Sequence, residues 1–184
     1  IHVSENKIQV LFGVFLELVN GISVLGIAAF LYPVLKQQNT GISLTYAGIR
    51  IIEAIFCIVA AIVPVLLIAV SQQLPGNEAV LQIISDALMG LRSLSMELLV
   101  AVFFSVGAFM LYYLLFRSRL VPRYLSVWGF LAAAMVLALN LIGNLDVTIS
   151  VILVLPIITN EIYLGIYLIV KGFNVREAAQ ILDA

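Results

Sequence analysis

The chain has 184 residues, of which 64% are hydrophobic and only 10% are charged, and its formal net charge is -1. A water-soluble domain of this length has too little core to bury such a composition, so the sequence predicts an all-α integral membrane protein. The nearly neutral charge provides no basic field, so no nucleic-acid partner is expected.

Five apolar stretches are long enough to cross a membrane, since about 20 apolar residues in a helix span ~30 Å of hydrocarbon. They cover residues 8–31, 44–70, 94–116, 122–142 and 147–170. Their short connections predict antiparallel neighbours in one polytopic transmembrane bundle domain, residues 1–184. Asn174 and Glu177 have the spacing of a capping box, which predicts a short helix in the tail 174–184.

Residues 78–93 differ from the spans, because their apolar residues fall on one face of a predicted helix. Such an amphipathic segment either lies flat at the membrane interface or extends the third span. One straight helix over residues 80–116 would be about 55 Å long and would exceed the bilayer. We therefore expect a bend near Gly90–Ser95.

Basic residues in the short loops predict the orientation, because Lys and Arg are retained on the cytoplasmic side. The residues expected on that side are Lys36, Arg117, Arg119, Arg123, Lys171 and Arg176. Residue 1 then lies outside and the C-terminus lies in the cytoplasm. A first span that starts outside without a signal peptide leads us to expect an upstream helix, and thus six spans in the full protein.

The single cysteine, Cys57, and the single histidine, His2, leave no disulfide pair and no ligand set for zinc or haem in this sequence. No cofactor and no metal site are therefore expected. No nucleophile–base pair is visible either, which makes an enzyme the least favoured function class. Cys57 is expected to be a small core residue.

Charged and amide residues inside the apolar stretches are the candidate functional groups, because such residues are costly in a membrane. We assign an inner layer as the ligand- or proton-binding site: Arg50, Glu53, Asn160 and Glu161. A secondary outer polar cluster comprises Glu17, Asn20, Arg92, Glu97 and Asn140. Arg50 and Glu53 are spaced for a local pair, with Glu161 as a second partner of Arg50. The alternative is that these groups only fix how the helices pack.

Two prolines, Pro64 and Pro156, lie inside predicted spans, where proline removes a backbone hydrogen bond. They either free carbonyl groups for a ligand or are simply tolerated. Aromatic residues of the third span are expected to belong to the core and the interfacial belt: Phe103, Phe104, Tyr112 and Tyr113.

Several segments, taken together and in this order, resemble a family of bacterial membrane proteins known as DUF4386. They read LEL at 16–18, LYPVLK at 31–36, YAGIRIIEA at 46–54, LVPR at 120–123, NE at 160–161 and LIVKGFN at 168–174. The resemblance implies a six-helix protein of a bacterial inner membrane, of which this chain would supply helices two to six. It implies no activity, but its recurring segments contain Glu17 and all four inner-layer residues.

Two hypotheses follow. In the leading one the protein binds or transports a small ligand, an ion or a proton, and membrane lipid surrounds it. Arg50 would hold an anionic group, Glu53 or Glu161 would carry a proton, and Asn160 would orient the ligand. In the alternative, it is a non-catalytic structural or stress-response protein that interacts with lipid or a partner membrane protein. An open polar cavity would favour the first hypothesis, and a dry bundle would favour the second.

Overall fold

All regular structure in the described residues is helical. The structure is a computed structural model and describes residues 7–73, 77–143 and 146–174. Its helices are α1 (Lys7–Leu35), α2 (Thr40–Gln73), α3 (Glu78–Ser93), a π-helical segment (Leu94–Val100), α4 (Ala101–Ser118), α5 (Arg123–Ile142) and α6 (Val147–Lys171). Residue 1 and, apart from Asn174, the predicted tail helix lie outside the described residues.

Five helices are long and apolar enough to cross a membrane: α1, α2, the continuous helix Glu78–Ser118, α5, and α6 from Thr148 onwards. Large apolar side chains are exposed along each of them. Lipid rather than water can surround such surfaces, because each helix satisfies its own backbone hydrogen bonds. The prediction of an all-α polytopic membrane protein is confirmed.

The amphipathic residues form α3, which continues without a break through the π segment into α4. Of the two arrangements left open by the sequence, the segment therefore extends the third span. This helix covers 41 residues, or about 60 Å at ~1.5 Å per residue. An irregularity occurs close to the expected place, at Leu94–Val100, and it is a change to the wider turn of a π-helix. Such turns are rare and frequently occur at functional sites.

Local signals set the ends of α6. The Asp146 carboxylate accepts a hydrogen bond of 2.8 Å from the backbone N–H of Thr148, which caps the start of the helix. Gly172 ends it with φ of 70°, a conformation that costs little only for glycine. The backbone N–H of Asn174 then donates to the Leu120 carbonyl at 2.9 Å, so the chain after α6 is fixed beside the α4–α5 loop.

The described residues fall into two compact units. Unit 1 contains those within 1–27 and 51–100, and unit 2 contains those within 28–50 and 101–184. In unit 1, α1 approaches α2 closely at Gly21. A Cβ atom at Gly21 would lie 3.5 Å from Ile58 and 3.6 Å from Cys57. Cys57 is buried in this contact, as the sequence predicted.

In unit 2, α5 packs against both α4 and α6. Its apolar core includes the buried rings of two tyrosines, Tyr46 and Tyr112. Gly129 on α5 permits the close approach of α4, since a Cβ atom at Gly129 would lie only 2.2 Å from the Tyr112 ring. A larger residue at position 129 would leave no room for the Tyr112 ring, which is almost fully buried.

We expect Gly129→Ala to destabilise the protein by about 1–3 kcal/mol, because the new methyl group would overlap a ring that has no space to move. Gly165→Ala on α6 is the matched control, since a Cβ atom there meets nothing within 4 Å. It should be neutral or slightly stabilising, because alanine favours the helix more than glycine does. Thermal unfolding in detergent measures both. Equal midpoints would contradict the packing of Tyr112 on Gly129.

Candidate functional site

Arg50 lies in unit 2 with its guanidinium group next to two aromatic rings. Its Cζ atom is 5.8 Å from the ring centroid of Tyr46 and 5.6 Å from that of Phe104, within the range of cation–π attraction. Its Nε atom donates a hydrogen bond to the Tyr46 hydroxyl at 3.4 Å. Only 5% of Arg50 is exposed, so protein groups rather than bulk water must stabilise its charge.

Tyr112 and Asn160 form a buried polar connection among α4, α5 and α6. The Tyr112 hydroxyl donates to Oδ1 of Asn160 at 2.6 Å, and Nδ2 of Asn160 donates to the Leu125 carbonyl at 3.0 Å. Asn160 has no exposed surface. The amide that the sequence predicted to orient a ligand is thus bonded to protein at both ends.

Tyr112 also interacts with several of the predicted site residues, although the sequence assigned it only to the core and the interfacial aromatic belt. Burial is the main influence on its hydroxyl group, and the charges of Glu161 and Arg50 influence it more weakly. Glu161 follows Asn160 on α6 and is exposed. Glu53, the fourth inner-layer residue, belongs to unit 1 and is only 3% exposed. None of the three charged inner-layer residues lacks a partner.

Arg92 and Glu17 form an ion pair in unit 1 that connects α3 to α1. Nη1 of Arg92 donates to Oε2 of Glu17 at 3.0 Å, and Nη2 donates to Oε1. This two-point contact is the strongest geometry for a guanidinium and a carboxylate. The two side chains are only 25% and 28% exposed. The sequence placed both residues in the outer cluster but did not pair them.

A third bond of Arg92 follows from the position of Pro64 in α2. In an α-helix the Ala60 carbonyl would accept a hydrogen bond from the N–H four residues later, and that residue is Pro64, which has no N–H. Nη1 of Arg92 donates to this carbonyl at 2.7 Å. The proline therefore does free a carbonyl group, and a side chain of the protein occupies it.

The other members of the outer cluster have different surroundings. Asn20 on α1 and Glu97 in the π segment are exposed. Asn140 lies in unit 2, where Nδ2 donates to the Val136 carbonyl of the preceding turn at 2.8 Å. Within unit 1, the outer-cluster residues that are bonded to each other are therefore Glu17 and Arg92.

A cavity of about 330 Å³ lies between the end of α2 and the start of α3 in unit 1. It is lined by Leu67, Ser71, Glu78, Leu81, Gln82 and Ser85. None of the predicted site residues belongs to this lining. Across residues 7–73, 77–143 and 146–174, no three His, Cys, Asp or Glu side chains are grouped to hold a metal ion.

A family model for a domain of unknown function, DUF4386, matches residues 1–172. This chain belongs to the DUF4386 family. The resemblance seen in the sequence is therefore confirmed, and the match includes every residue of the inner layer and the outer cluster. No curated protein and no solved structure matches the chain. The DUF4386 description names no activity, so any chemistry has to be inferred from the residues themselves.

Sequence reasoning missed two relations within the site. The bond between Arg92 and Ala60 had a local signal, because a proline always leaves the carbonyl four residues earlier without its helical donor. For the bond between Tyr112 and Asn160, the sequence contains only an indirect signal. Gly129 lies on a face of small residues in α5, where another helix can approach closely, but nothing in the sequence states which ring fills the space.

We expect Arg92→Leu to lower the free energy of unfolding by about 1–3 kcal/mol, because the Ala60 carbonyl and the Glu17 carboxylate lose their donor. Pro64→Ala returns a backbone N–H to that carbonyl, so Arg92→Leu should then cost about 1 kcal/mol less. Pro156→Ala, in unit 2, is the control background and should not change the cost. Unfolding in detergent measures these differences. The same cost in all backgrounds would rule out the role of Pro64.

Proposed function

We propose that this protein binds a small ligand, an ion or a proton at a polar cluster of unit 2 that comprises Arg50, Tyr112, Asn160 and Glu161. The observation that carries the proposal is the surroundings of the Tyr112 hydroxyl. This group is buried, donates to Asn160 and is influenced more weakly by the charges of Glu161 and Arg50. Ionisable groups inside membrane spans are typical of ion and proton pathways.

Of the three kinds of ligand, a proton suits this cluster best. Arg50 and Asn160 are 5% and 0% exposed, so a larger ligand could reach them only by displacing packed side chains. A proton requires no such space. We propose Glu161 as its carrier and Arg50 as a fixed positive charge, because a carboxylate can gain a proton whereas a guanidinium keeps its own. Glu53, buried in unit 1, is the second candidate carrier.

Such a protein would suit the role of a small transporter or of an accessory subunit of one. Protonation of Glu161 would change the field at the Tyr112 hydroxyl, which is bonded to Asn160. Since Asn160 in turn donates to the Leu125 carbonyl of α5, the proton and the packing of three helices would be coupled. We propose that, through this coupling, proton binding changes how the three helices pack.

A non-catalytic structural or stress-response role, in contact with lipid or a partner membrane protein, is the second candidate. It is favoured by Asn160, whose amide is bonded at both ends to other helices of unit 2. Bonds of this kind hold transmembrane helices together without any ligand. In this role Glu161 would keep one protonation state.

We further propose that the protein lies in a bacterial cytoplasmic (inner) membrane, with the α4–α5 loop and the end of α6 in the cytoplasm. Exposed arginines surround this loop at Arg117, Arg119 and Arg123. Lys171 lies in the last turn of α6, and Lys36 is exposed between α1 and α2. Basic residues close to span ends are retained on the cytoplasmic side.

Infrared spectroscopy of the protein in lipid nanodiscs separates the two candidate functions. If Glu161 takes up a proton, lowering the pH should produce the carbonyl band of a protonated carboxylic acid, and Glu161→Gln should lack this band. Glu78→Gln is the control, since Glu78 is exposed at the first turn of α3, and it should retain the band. A spectrum of Glu161→Gln that equals the wild-type spectrum at every pH would reject the proton site and favour the structural role.

Cysteine labelling of whole cells tests the orientation. In a Cys57→Ala background, a cysteine at the exposed Asn77, before α3, should react with a membrane-impermeant maleimide added outside. A cysteine at the exposed Gln37, between α1 and α2, should react only after the membrane is permeabilised. Ser118 is unsuitable for this purpose, because it is 1% exposed. The reverse labelling pattern would show that the orientation is wrong.

A further inference from the structure

Two of the polar side chains that are exposed on the membrane-spanning helices of unit 1 carry an amide or a carboxyl group near the middle of the helix. They are Asn20 on α1 and Glu97 in the π segment. Neither has a hydrogen-bonding or ionic partner among the described residues. Apolar side chains adjoin them, and Val19 and Leu98 are 43% and 40% exposed. These four residues lie on two helices that the Glu17–Arg92 ion pair joins, and we call them the Asn20–Glu97 face.

The Glu17–Arg92 ion pair sets the depth of this face. The helix α1 has 29 residues, or about 43 Å, so about 30 Å of hydrocarbon places Asn20, near its middle, deep in the membrane. Along the helix axis, Asn20 lies about 5 Å beyond Glu17, and Glu97 lies about 7 Å beyond Arg92. The first and third spans run in the same direction, so Asn20 and Glu97 lie at similar depths.

Hydrocarbon cannot satisfy these two groups, because it offers no hydrogen-bond donor or acceptor. The groups are complementary to each other, since the Asn20 amide donates and the Glu97 carboxyl accepts. A face that carries both at one depth is self-complementary. A two-fold axis along the membrane normal keeps equivalent residues at equal depth and forms the same contact twice.

We propose that the Asn20–Glu97 face binds a second copy of this chain, with Asn20 of each copy bonded to the partner's Glu97. The surface of α1 leaves room for this contact, because only 11% of its most apolar window is buried, against 44% for α2. Hydrogen bonds between polar side chains hold transmembrane helices together. This interface does not depend on the proton site proposed in unit 2.

Energy transfer between labelled copies in lipid bilayers, over a range of protein-to-lipid ratios, tests the interface. The wild type should dimerise. Asn20→Leu and Glu97→Leu should each weaken the dimer about tenfold or more, since each removes both symmetric bonds. Glu97→Gln should retain it, because an amide can still bond to Asn20. The exchange of the two residues, Asn20→Glu with Glu97→Asn, should restore it.

A polar residue that is already satisfied provides the control. Thr159 on α6 is exposed, but its hydroxyl donates to the Leu155 carbonyl of its own helix at 2.8 Å. Thr159→Val should therefore leave the dimer unchanged. Thermal unfolding of each variant checks that it is folded.

Disulfide formation in membranes locates the contact. In a Cys57→Ala background, copies carrying Asn20→Cys should crosslink to copies carrying Glu97→Cys. A wild type that remains monomeric at high protein-to-lipid ratio would mean that a second copy does not cover the face, and would overturn the proposal. A dimer that survives both leucine substitutions, or that gives no mixed crosslink, would overturn it as well.

Discussion

The hydrocarbon of a membrane cannot form hydrogen bonds, and this constraint governs every polar group in the five spans. The simplest solution is local. Three buried serine hydroxyls donate to the carbonyl four residues earlier. Ser105 and Ser118 donate within their own helix, and Ser43 donates to Asn39 just before α2. Ser126 differs, because its hydroxyl is buried without a partner in the described part of the chain. Arginine and asparagine have more donors than one carbonyl can accept, and Arg92 and Asn160 use theirs for bonds to other helices.

The two units meet that requirement in different ways. In unit 1 a proline supplies the acceptor, since Pro64 leaves the Ala60 carbonyl open and Arg92 donates to it as well as to Glu17. In unit 2 a glycine supplies the space, since Gly129 lets the Tyr112 ring approach and its hydroxyl reaches Asn160. Both residues weaken a helix when it is isolated. Here each allows a bond between helices that a regular helix surface would exclude.

The spans, the amphipathic third segment and the polar residues inside the spans could be predicted from the sequence, because hydropathy and helical periodicity are local properties. The continuation of α3 into α4 could not be predicted. A flat interfacial helix and an extended span have the same periodicity, and the π segment at Leu94–Val100 joins them without a proline or a break. The pairing of Glu17 with Arg92 could not be predicted either, because a single sequence does not indicate which residues far apart in the chain are in contact.

The sequence by itself determined that this protein spans a membrane as helices, that it belongs to the DUF4386 family, and which ionisable residues lie inside the spans. Each of these follows from residue type and order. Only the tertiary structure decided which polar groups satisfy each other and which stay exposed. The difference between the bonded Asn160 and the exposed Asn20 shows this. The two side chains have the same chemistry, and only the packing of the helices around them supplies or withholds a partner.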